Sequence, residues 1–278
     1  MVQDAGDTVT IYKLLSASEA LVADQWQKLQ PPGDSKAYRL LKEAGFFIWR
    51  TGQLYRFEDY LVRPSADRAV DVRTSWCDEN GEEASGARQT LSRIRDTLRS
   101  EEKKKLIQVA SAQLEFIAST GQCEEFHDYL KTFYRKPPPV IARFDTRDEA
   151  ESWLRNVPEP PSSAYILVGN EYLEVFYSRE RGVRALRRDY ALERFIEAVT
   201  SRGLPAPAAS FDTHAEAAAW WKSHPVPPLC VFVHIAGEHH LAVYHKKIDY
   251  RSLHPISILD DWRREQERIA EQEKERSR

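Results

Sequence analysis

Two stretches in the second half of the chain repeat one another. From Phe144 the sequence runs F-D-T-R-D-E-A-E-S-W-L-R-N-V-P-E-P-P, and 67 residues further on, from Phe211, it runs F-D-T-H-A-E-A-A-A-W-W-K-S-H-P-V-P-P. Nine of these eighteen positions are identical without a gap. A match at a fixed period constrains the fold before composition does, because the unit that one stretch builds is built by the other as well.

The shared letters say which unit it is. Thr146 with Glu149, and Thr213 with Glu216, have the capping-box spacing, in which the hydroxyl accepts from an early helix amide and the carboxylate reaches back to the cap. Ala150, Trp153 and Leu154, like Ala217, Trp220 and Trp221, then recur at helical spacing and give each helix one apolar stripe. Pro158 to Pro161 and Pro225 to Pro228 end the helices. Tyr165 to Val168 and Leu173 to Tyr177 flank Gly169-Asn170, and Val231 to Ile235 and Leu241 to Tyr244 flank Ala236-Gly237, so each unit continues as a β-hairpin. Apolar runs at Val140 to Phe144 and Ala208 to Phe211 supply a leading strand. A further helix is expected over Tyr190 to Thr200, with Leu192, Phe195, Ile196 and Val199 on one side. The two units either share one antiparallel sheet or pack two small sheets, with helices on one face.

The first half carries a second, unrelated match. Phe47 to Leu61 reads F-I-W-R-T-G-Q-L-Y-R-F-E-D-Y-L, and Phe116 to Leu130 reads F-I-A-S-T-G-Q-C-E-E-F-H-D-Y-L, identical at nine of fifteen positions. Upstream lie the helical patterns Leu40, Leu41, Ala44, Phe47, Ile48 and Leu106, Ile107, Ala110, Leu114, Ile117. Gly52 and Gly121 stand where a left-handed residue closes a helix, and a second short helix follows each. The reading is a duplicated helical hairpin forming a four-helix arrangement, preceded by a helix capped by Ser16 and Glu19 and ended by Pro31-Pro32. Arg63 to Gly86 reads as a polar loop with a strand at Ala69 to Val72.

The whole is an α+β chain. Residues 1–136 form an all-α domain of duplicated hairpins. Residues 140–257 form two strand-helix-hairpin units with antiparallel sheet (140–204 and 206–257), and 258–278 form a charged helical tail. Pro137 to Pro139 mark the boundary.

Composition narrows the chemistry. The formal charge of -3 gives no general attraction to a polyanion, and Lys103 to Lys105 follow Glu101 and Glu102, as on a solvated helix face. No secretory leader or run of about 18 apolar residues is present, so the expected location is cytoplasmic. Three cysteines without C-x-x-C spacing suggest neither disulfides nor a thiolate zinc site. His234, His239, His240 and His245 fall in one expected hairpin, but His239 and His240 must point to opposite faces of a strand, so no metal and no cofactor is expected. No nucleophile elbow, phosphate-binding loop or zinc-protease helix occurs. The repeated Thr-Gly-Gln, with Asp59 or Asp128 downstream, reads as helix-end hydrogen bonding before it reads as a polar site.

Exposed residues that differ between matched segments are the candidates for function: Trp49 and Tyr55 against Ala118 and Glu124, and Trp221 and His239 against Leu154 and Tyr172. Tryptophan and tyrosine dominate interface hot spots. The excess of arginine over lysine suggests a GC-rich bacterial genome. The expected function is a non-enzymatic, protein-binding bacterial protein, toxin-neutralising (an immunity protein) or adaptor in kind. The alternatives are an enzyme using His239 or His240 as acid and base, and a nucleic-acid regulator acting through the amino-terminal helices. Against the last, Glu58, Asp59, Glu124, Glu125 and Asp128 would face phosphates.

Overall fold

The computed structural model describes residues 10–29, 35–63, 78–133, 135–225 and 227–276. The chain is α+β and divides into two compact units. One comprises Met1–Lys131 with Pro161–Ser163 and Arg179–Arg181, and the other Thr132–Pro160, Ala164–Ser178 and Gly182–Arg278.

In the first unit the described helices are α1 (Ile11–Leu29), α2 (Ser35–Arg50), α3 (Leu54–Val62), α4 (Asp78–Thr97), α5 (Glu101–Ser119) and α6 (Cys123–Thr132). Helix α5 is central and packs on α1, α2, α3 and α4. Its sequence explains the position: from Val109 to Ala118 almost every side chain is apolar or small, and nearly all are buried, leaving only a narrow strip at Ser111 and Glu115 half-buried. Gly52 (φ 73°) and Gly121 (φ 70°) close the two helices in the left-handed region. The following amides return to the helix, Gln53 N–H to the Ile48 carbonyl (2.9 Å) and Gln122 N–H to that of Ile117 (3.0 Å), as a Schellman closure requires. The aromatic residues then interlock reciprocally: Phe47 meets Phe126 at 5.2 Å between ring centroids, and Phe57 meets Phe116 at 5.4 Å.

Two expectations for this unit are corrected. The first helix starts at Ile11, with Lys13 N–H on the Thr10 hydroxyl at 3.4 Å, not at Ser16. The helix and its buried side chains Ile11, Ser18, Val22 and Trp26 begin before the exposed Ser16, which is an interior helix position and caps nothing. Part of the expected loop, from Asp78 onward, is helix α4, whose buried face is Ala84, Ala87, Leu91 and Ile94. Two alanines among polar residues give a weak hydrophobic signal, yet they let the helix approach its neighbours closely. Pro31-Pro32 and the strand expected at Ala69 to Val72 lie outside the described residues.

The second unit holds two four-stranded sheets, ordered β1-β2-β3-β4 and β5-β6-β7-β8. Strands β1 (Val140–Phe144), β2 (Ala164–Val168), β3 (Glu171–Ser178) and β4 (Val183–Arg188) enclose helix α7 (Arg147–Asn156). Helix α8 (Ala191–Thr200) leads to β5 (Ser210–Phe211), helix α9 (His214–Ser223), β6 (Cys230–Ile235), β7 (Glu238–His245) and β8 (Tyr250–Pro255), and helix α10 (Ile258–Arg276) follows. Both capping boxes are complete: the Thr146 hydroxyl accepts from Glu149 N–H at 3.3 Å, and that of Thr213 from Glu216 N–H at 3.2 Å.

The leading strands pair in parallel with the strands after their helices, so the sheets are mixed and not purely antiparallel. A helix between two neighbouring strands returns the chain to the same end, which makes parallel pairing the natural outcome. The last strand of each sheet was not expected; polar or charged residues such as Arg184, Arg187 and Arg188 obscure β4. One face of each sheet is covered by its own helix, through Ala150 and Leu154 of α7 or Ala217 and Trp221 of α9. The other faces share one core, in which Tyr165, Leu167 and Tyr172 join Leu241 and Val243, with Leu192 and Ile196 of α8 and Leu259 of α10.

Candidate functional site

The candidate residues separate once they are placed. Trp221 is 1% exposed, and its indole N–H reaches the Val243 carbonyl at 3.4 Å, so it is a core residue of the second sheet. Tyr55 is 4% exposed and equally internal to the helical unit. Neither offers side-chain surface. The reason is the same for both: a large ring on an amphipathic helix goes to the buried stripe, and sequence difference between matched segments does not distinguish a buried ring from an exposed one.

His239 is half-buried and stands beside His234, its cross-strand partner, with ring centroids 5.2 Å apart. His240 points to the opposite face, where its ring lies 6.2 Å from that of His214 and its Nδ1 lies 3.2 Å from the Glu238 carbonyl oxygen. Among the described residues no group of three or more His, Cys, Asp or Glu side chains is placed to hold a metal ion.

A polar cluster that the sequence did not single out lies in the shared core. Ser252 Oγ is 2.8 Å from His245 Nε2 and 2.7 Å from His254 Nε2, on neighbouring strands. Burial holds His245 down at about 4, and His254, buried and beside two further imidazoles, at about 3. Both are therefore neutral near pH 7, and with one hydroxyl proton available, one imidazole donates to Ser252 while Ser252 donates to the other. A serine beside an imidazole is the pairing of nucleophile and base. Here the three side chains are only 2–5% exposed, so the cluster fastens β7 to β8. Tyr172 packs between the imidazoles, at 5.9 and 6.1 Å, and its buried hydroxyl has no partner among the described residues.

Trp49 leads to a different place. It borders a cavity of about 230 Å3 inside the helical unit, between α1, α2 and α5. Leu15 and Val22 come from α1, Tyr38, Leu41 and Phe46 from α2, and Ala110 and Gln113 from α5; Glu19 and Lys42 are at the exposed rim. The walls are mainly apolar. The indole N–H of Trp49 is buried and has no acceptor among the described residues.

Ser16, Ser18, Glu19 and Lys42 also line the cavity, and Gln113 is the polar side chain that α5 contributes to it. It is 6% exposed and makes no side-chain hydrogen bond among the described residues. Opposite its amide stands Gly45: a Cβ there would lie 3.4 Å from Gln113 Oε1 and 3.6 Å from Nε2. Gly45 and Trp49 are four residues apart on α2 and so share one face. A Cβ at Gly45 would touch the amide at ordinary contact distance, and Trp49 lines the same cavity one turn further on.

No protein-family model, curated protein or solved structure matches the chain. Among the described residues no helix is long and apolar enough to cross a membrane.

Proposed function

We propose that this chain is a non-enzymatic binding protein whose helical unit takes up a small molecule. The observation that carries the reading is the cavity of about 230 Å3 between α1, α2 and α5, walled mainly by aromatic and aliphatic side chains. Ligand sites between the helices of a bundle have this composition: apolar walls with very few polar groups. Size limits the occupant. An apolar cavity of about 150 Å3 takes up benzene, so this one suits a one-ring molecule with a few further atoms.

The protein-partner reading, toxin-neutralising or adaptor, rests on Trp49, Tyr55, Trp221 and His239. Only Trp49 and His239 keep side-chain surface, and Trp49 belongs to the cavity. The reciprocal contacts of the two helix-turn-helix segments support a further part of the proposal, that the helical unit arose by internal duplication.

Native mass spectrometry of the tagged chain, purified from its own cells, tests the function. A small-molecule adduct on the wild type that is lost in Leu15→Trp, where the added ring fills the space, is the expected result. No adduct, or the same adduct on both proteins, overturns it. A stoichiometric protein captured equally by both would return the partner reading.

A further inference from the structure

Gln113 specifies more than an apolar guest, and the step that follows rests on the cavity being a binding site. A primary amide brings two N–H donors and a carbonyl acceptor. Among the described residues the Gln113 amide is not one of the fully buried polar groups left without a partner, so it keeps access to the cavity that it lines. The two helix-turn segments show what a glutamine amide does in this unit when a complement is within reach: Gln53 and Gln122 exchange two hydrogen bonds. Gln113 has no such complement among the described residues, and its amide packs on α2 at Gly45, where a Cβ would lie 3.4 Å from Oε1.

We infer that the cavity binds a neutral aromatic amide: one ring carrying a carbonyl and an N–H side by side. Its carbonyl accepts from Gln113 Nε2, and its N–H donates to Gln113 Oε1. The same two-point complementarity lets glutamine read an adenine edge. The ring lies among Leu15, Val22, Leu41, Phe46 and Trp49, where its faces meet apolar and aromatic walls. A carboxylate is a poorer guest, because it has no N–H for Oε1 and its charge would enter an apolar space. Among the described residues no hydrogen bond fixes the indole of Trp49, which leaves that wall free to adjust to the ring.

Calorimetric titration of the full chain with benzamide and with toluene tests the assignment, in the wild type and in Gln113→Leu. Gln113→Met serves as the second variant should Leu disturb the fold, which circular dichroism reports. One-to-one binding of benzamide is expected, weakened about tenfold or more by either substitution, the loss of two hydrogen bonds. Toluene affinity is expected to stay level or rise. If both ligands bind and neither variant separates them, the amide assignment is overturned while the cavity remains a binding site. If neither ligand binds the wild type, both readings fall.

Discussion

The side-chain amides of Gln53 and Gln122 hydrogen-bond one another in both directions, Nε2 of Gln53 to Oε1 of Gln122 at 2.7 Å and Nε2 of Gln122 to Oε1 of Gln53 at 2.9 Å. Each amide also donates to the threonine two residues before it, Thr51 at 2.7 Å and Thr120 at 2.6 Å, and each threonine donates to the carbonyl one turn back. The repeated Thr-Gly-Gln is thus a clasp joining two helix ends. Gln53→Leu is expected to cost about 1–3 kcal/mol in urea unfolding, because it strands the amide of Gln122. The double variant with Gln122→Leu should lose less than the sum of the singles, since the second substitution removes the stranded group. Strict additivity would deny the coupling.

Gly45 gives a prediction of opposite sign. Glycine within a helix is about 1 kcal/mol less favourable than alanine, and a Cβ at position 45 meets Gln113 Oε1 at 3.4 Å, close but tolerable. Gly45→Ala should therefore stabilise the chain by up to about 1 kcal/mol while weakening benzamide binding, as the new methyl crowds the amide. A variant more stable and equally able to bind would show that Gly45 has no part in the site.

The caps are the most legible part of the sequence. Thr146→Ala and Thr213→Ala should each cost about 1 kcal/mol in thermal or urea unfolding, and Ser at either position should restore most of it. The helix closures at Gly52 and Gly121 and the hairpin turns were equally readable, because each depends on a local residue type. Less readable was helix α4, whose buried face is half alanine, and least of all the cavity. Gln113, Gly45 and Trp49 stand far apart in sequence or differ in type, and nothing local marks them as neighbours. The same holds for Ser252 between His245 and His254: His245 belongs to the expected hairpin group but His254 does not, and the register that pairs Val243 with Ser252 and Leu241 with His254 decides which of them meet.

Those two imidazoles make stability depend on pH. Their folded values, about 4 and about 3, lie below the unfolded value near 6.5. Below about pH 6.5 the unfolded chain binds protons that the folded chain refuses, so stability is full above that pH and falls as the pH drops toward 4. The slope is about 1.4 kcal/mol per pH unit for each imidazole. Urea unfolding at pH 7, 6 and 5 should show the decline, and His254→Gln should flatten it by about half. An unchanged slope in that variant would mean that His254 is protonated as readily in the folded chain as in the unfolded one.

The most direct test of the cavity is the side-chain amide of Gln113, followed by 15N NMR and assigned by its absence in Gln113→Leu. Addition of benzamide should move both Gln113 Nε2 proton signals, one of them downfield as it gains an acceptor, together with the indole signal of Trp49. Binding of benzamide with these signals unmoved would place the guest elsewhere and contradict the cavity as the site.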